Sequence, residues 1–187
     1  MATAKSTALT NTQASPSITR DARLDKGRAR VALDTIAAGT GDIDATDVLL
    51  FNPKIPSNAI ITGISLYNDD LDSNCSPALA VDIGLFAAED FTSTTSSVDT
   101  QHSEDDVLDA DAYVDGSTTL QAATTSYTAQ ALDSGTFGPD DALKPCWSVL
   151  GYDSDPRTDF RVGITVATGA GTAAAGDVSI KIDYLVD

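Results

Sequence analysis

One histidine, two cysteines and many aspartates set the chemistry this sequence can offer. His102 lies in the polar stretch Thr100-Gln101-His102-Ser103. A nucleophilic triad needs such a base oriented by a third group beside a serine on a sharp turn, and no G-x-S-x-G elbow is present. A surface histidine in a polar loop is expected. Cys75 and Cys146 form no C-x-x-C pair and have no histidine cluster for zinc. A disulfide between them stays open. The favoured expectation is two buried or semi-exposed free thiols, since Cys146 sits in the apolar run Cys146-Trp147-Ser148-Val149-Leu150. No P-loop, H-E-x-x-H or dinucleotide fingerprint occurs. The turn Gly169-Ala170-Gly171-Thr172 lacks the following helix and lysine of a phosphate cradle.

Calcium is the one metal worth weighing. Asn68-Asp69-Asp70-Leu71-Asp72-Ser73-Asn74 gathers three carboxylates and two amides in one loop. Asp109, Asp111 and Asp115-Gly116 resemble the start of an EF-hand loop, but Leu120 stands where the twelfth-position Glu should be. Asp153, Asp155 and Asp159 make a third acidic loop. The expectation is that these residues build turns and hydrate the surface, with no metal and no cofactor. Paired carboxylates for glycoside hydrolysis need a cleft with aromatic platforms, and one Trp with five Tyr does not suggest one. No catalytic residue is assigned.

The elements that must carry these groups follow from composition and pattern. A chain of 187 residues makes one domain, or a domain with an arm, and buries roughly 70% of its unfolded surface. Net charge is −17, and 26 of the 28 acids are Asp. Asp favours turns and caps over helix interiors, which argues against a helical bundle. The charge is unevenly spread. Residues 1–30 hold six basic and two acidic residues, whereas 31–187 hold five basic and 26 acidic ones. The sequence therefore divides into a basic, extended N-terminal arm, 1–28, and an acidic domain, 29–187. Such a domain repels nucleic acid and anionic membrane surfaces. No run approaches the 18 apolar residues of a membrane-spanning helix. The N-terminus lacks the apolar core of a secretory signal.

Period-2 alternation dominates from residue 28 onward. Strands are expected at 28–33, 47–51, 59–67, 80–86, near 125–132, at 160–166 and at 178–186, separated by Gly, Asp, Asn and Pro turns. In the third, Ile60, Thr62, Ile64 and Leu66 form one face. The pattern predicts an all-β, antiparallel β-sandwich, jelly-roll-like, of seven or eight strands. One or two short helices are expected as well. One spans 104–121 behind an acidic first turn; the other spans 141–150, with Pro145 in its first turn and Gly151 as its stop. Residues 91–103 read as a surface loop.

The strings AIITGISLYNDDLDSN (59–74), PALAVDIGL (77–85), TTLQ (118–121) and TAAAGDVSI (172–180) resemble a family of small virion structural proteins of tailed bacteriophages, common in marine phages. The resemblance covers roughly residues 28–187. It implies a particle component and carries no catalytic residues. Charge then favours a cement (decoration) protein on the outer capsid surface, made in the host bacterial cytoplasm, over a DNA-facing shell protein. Arg20, Arg23, Lys26, Arg28 and Arg30 are the expected partner-binding residues, set against the major capsid protein or a sister subunit. A homo-oligomer is expected, with a trimer favoured. The alternatives are a head–tail connector, tail or fibre component and, from another class, a calcium-dependent carbohydrate-binding module.

Overall fold

The computed structural model describes residues 28–134 and 136–186. The arm residues Arg20, Arg23 and Lys26 lie outside them; Arg28 and Arg30 open the first strand. Ten strands occur among the described residues: β1 (Arg28–Ala38), β2 (Val48–Pro56), β3 (Ile60–Asn68), β4 (Ala80–Ala87), β5 (Phe91–Thr95), β6 (Val98–His102), β7 (Val107–Ser117), β8 (Thr128–Ala129), β9 (Asp159–Thr168) and β10 (Gly176–Val186). One sheet has the order β1-β10-β3-β8, the other β2-β9-β4-β7, and every pairing within them is antiparallel. This is the order of an eight-stranded jelly roll, as the alternation predicts. The hairpin β5–β6 is an insertion between its fourth and fifth strands.

The core forms where the apolar faces of the two sheets meet. Ile64 and Leu66 of β3 and Val178, Ile180 and Ile182 of β10 face Phe51, Ile83, Leu85, Phe160, Val162 and Ile164 from the other sheet, all buried. The inward face of β3 departs from strict alternation. Ile60 and Ile61 are both buried and Thr62 is exposed, because the β3–β10 register shifts between Asp183 and Tyr184. An added residue in one strand resets which face points inward.

Three expected elements differ. Residues 104–121 form a turn, strand β7 and a short 3-10 turn (Thr119–Gln121), not a helix. The acids read as a helical first turn instead tie the chain to the end of β4. Asp105 N–H donates to Ala87 O, Ala87 N–H donates to Asp106 O, and Asp105 sits at φ 69°. Opposite β4, the strand β7 advances from Asp109 to Val114 while β4 moves only from Leu85 to Ile83. That bulge hides β7's period-2 pattern. Residues 91–103 form a hairpin, not a loop. Ser96 and Ser97 both take positive φ, the geometry of a two-residue type I′ turn, and Ser97 N–H is held by Asp153 Oδ2 at 2.9 Å. The helix at 141–150 shrinks to α1 (Cys146–Val149). Pro145 stands extended before its first turn, and the residue preceding a proline is driven out of the helical region. Gly151, at φ 72°, does end it.

Candidate assembly surface

Most of the polar groups singled out above serve the fold. Asp72 is the clearest case. Its buried carboxylate accepts N–H bonds from Ala78 (2.7 Å), Leu79 (3.0 Å), Gly171 (3.0 Å) and Thr172 (2.9 Å), which joins the β3–β4 loop to the β9–β10 loop. Burial opposes the charge, but these donors hold the carboxyl well below the usual carboxylate range. The neighbouring side chains are similarly engaged. Asp69 accepts from Asp177 N–H, Asp70 from Asp72 N–H and Asn74 from Ser76 N–H, while Asn68 donates to Asp69, Thr119 and Ala122 carbonyls. In the third acidic loop, Asp155 accepts from Ser57 Oγ and Arg157 N–H, and Asp153 holds the hairpin turn. Among the described residues, no group of three or more His, Cys, Asp or Glu is placed to hold a metal ion.

His102 lies in β6, not in a polar loop. It stacks on Phe91 at 4.7 Å between ring centroids, and its Nε2 is 2.9 Å from Ser93 Oγ. A serine–histidine contact invites a catalytic reading. Ser93, however, is buried, and among the described residues no carboxylate orients the other ring nitrogen. Both cysteines are free, Cys75 exposed and Cys146 buried. Burial pushes the Cys146 thiol up to about 11, although Tyr113 Oη donates to its sulfur. That thiol is inert at neutral pH.

The two outer faces of the sandwich differ. On the β2-β9-β4-β7 sheet, Asp82, Asp109, Asp111 and Asp115 crowd where β7 crosses β4. Burial, reinforced by Asp111, pushes Asp109 up to about 6; burial also raises Asp82, with Asp115 and Asp111 adding to it. On the other sheet the outer face is partly apolar. Val31 and Leu33 of β1 are 55% and 57% exposed, and Tyr67 and Tyr127, with rings 5.9 Å apart, are similarly open. Lys181 and Asp183 pair at 2.7 Å on the β10 strand between them. Arg28 and Arg30 are exposed at the N-terminal end of β1, next to this patch, and form no ion pair among the described residues.

Strand order and burial together define a jelly-roll sandwich with one acidic and one partly apolar outer face. No family model matches the chain, and no curated protein matches it in sequence. Solved structures do match. A chain in the cyanophage Pam1 capsid asymmetric unit is similar over 86% of this chain and 86% of its own length, with a TM-score of 0.55 at 23% identity. A chain in the capsid of Ralstonia phage GP4 is similar over 86% of each, with a TM-score of 0.56 at 19% identity. The jelly roll of this chain is therefore a fold also found in phage capsids.

Proposed function

We propose that this chain is a non-enzymatic virion structural protein of a tailed bacteriophage, acting as a cement protein on the outer capsid surface. The observation that carries the reading is the shared fold, over 86% of both chains, with proteins of two phage capsids. Two further features support it. The polar clusters that could have held metal or a catalytic base are engaged in loop and hairpin bonds. The acidic domain is unsuited to a DNA-lined lumen. Its partner is the major capsid protein, with Arg20, Arg23, Lys26, Arg28 and Arg30 as the basic contacts that bridge acidic surfaces of neighbouring capsomers. Such contacts lose strength with salt.

Cosedimentation tests it. The full chain should pellet with capsids stripped of it, and a chain starting at residue 29 should fold yet stay in the supernatant. Failure of the full chain to pellet overturns the cement reading. Pelleting of the shortened chain removes the arm from it. Binding confined to tail-bearing vertices would favour a connector instead.

A further inference from the structure

The free edge of β1 is the feature that the functional reading leaves unexplained. Among the described residues β1 pairs only with β10, so one side of this 11-residue strand has no ladder partner among them. At Thr35 that side is already engaged. The Asp34 carboxylate accepts Thr35 N–H at 2.9 Å and, reaching toward β2, Asn52 N–H at 2.8 Å. Thr35 N–H therefore points away from β10. In an antiparallel ladder alternate residues share that direction, so Ala29, Val31 and Leu33 also present N–H and C=O to the free side. Exposed edges are normally blunted by charge, proline or a bulge. Here Arg28, Arg30 and Asp34 supply charge, and Val31 and Leu33 stand exposed between them.

We infer that residues 28–34 of β1 pair antiparallel with the same segment of a second copy, across a two-fold axis at Val31, to make one continuous sheet from two sandwiches. The segment is self-complementary in that register. Val31 meets the partner's Val31, Ala29 meets the partner's Leu33 in a small-to-large fit, and Arg28 meets the partner's Asp34. The Ala29–Leu33 and Arg28–Asp34 contacts each occur twice and the Val31 pair once, on the axis, as a two-fold interface requires. The free-edge residues exchange roughly six N–H···O=C bonds. Val31 and Leu33 of both copies close into one apolar stripe on the outer face. Parallel pairing would set Arg28 against the partner's Arg28, so charge selects the antiparallel arrangement. This departs from the trimer favoured on sequence grounds, because the charge order along the edge matches itself only about a two-fold. Arg28 is also among the contacts proposed for the capsid, but the test concerns the purified chain alone, so failure of the dimer and failure of the capsid reading are distinguishable.

Light scattering on the full chain should give a dimer mass. Val31→Pro removes an N–H that makes no bond to β10, so the sandwich persists while the pairing is lost. Val31→Lys sets like charges across the axis and should weaken dimerisation by at least about tenfold. Arg28→Asp should do the same, and mixing it with an Asp34→Arg chain should restore a mixed dimer. Circular dichroism checks that each variant keeps its strands. A monomeric or trimeric wild-type chain overturns the inference, as does a dimer that folded Val31→Pro, Val31→Lys and Arg28→Asp leave intact.

Discussion

Replacing Gly84 by alanine should be the most damaging single-methyl change in this protein. Gly84 is buried at the middle of β4, where the bulged part of β7 crosses it. A Cβ there would lie 1.9 Å from Asp109 O and 2.4 Å from both C and O of Ala110. All three atoms are backbone, so relief requires β7 to lift off β4 by more than an ångström, against the ladder that holds it. Overpacking of a well-filled interior costs about 1–3 kcal/mol, and backbone obstruction places this case at about 3 or above. For a domain of this size each kcal/mol moves Tm by about 2–4 °C, so a fall of about 6–12 °C is expected. Two other glycines calibrate the effect. A Cβ at Gly163 would come within 2.6 Å of the Phe86 ring, a side chain that can partly give way. Gly163→Ala should cost about 1–3 kcal/mol. At Gly63 the nearest atom is Asp183 Oδ2 at 3.7 Å, ordinary contact, so Gly63→Ala should stay within about 0.5 kcal/mol. Differential scanning calorimetry of the three variants reads the order directly. A Gly84→Ala chain that melts with wild type, or above Gly163→Ala, would refute the close crossing of β7 over β4.

The acidic groups predict a pH dependence with a definite sign. Asp109 titrates near 6 when folded and near 3.8 otherwise, so the folded state holds the extra proton between those values. Stability should therefore rise as pH falls from 7 toward 4, with Asp82 acting in the same direction, and Asp109→Asn should flatten that rise in urea titrations. Asp72 works oppositely: its contribution is present above about 3.8 and fades as pH falls further, so stability should turn down again in strong acid. Asp72→Ala strands five backbone donors, Asn74 N–H among them, and should lower Tm sharply, and added calcium should leave both wild type and variant where they were. A thiol reagent should label Cys75 alone in the native chain and Cys146 only after denaturation; rapid native labelling of both would contradict the buried Cys146.

Strands that bury one face and leave the other to solvent were legible in the sequence: β4, β9 and β10 carry their apolar residues at every second position, and the sandwich followed from them. β7 was not legible, because its bulge over Gly84 makes Ala112, Tyr113 and Val114 buried in succession, a pattern with neither period. The hairpin β5–β6 escaped for a different reason. Its polar Thr- and Ser-rich strands have few apolar residues, and it is the positive φ at two serines that turns it. At the assembly surface, Arg28 and Arg30 were marked by charge alone. Val31 and Leu33 were legible only as part of a strand at 28–33, since alternation cannot distinguish a core side from an exposed one at a sheet edge. Their exposure, on a strand that pairs on one side only among the described residues, identifies them as surface.

A three-dimensional reconstruction of the intact particle bears most directly on the central claim of a capsid cement protein. The account predicts density for this jelly roll in many copies across the outer shell, seated at junctions between capsomers with its N-terminal residues running onto neighbouring subunits. Density confined to a single vertex or to the tail, or none on the particle at all, would contradict it.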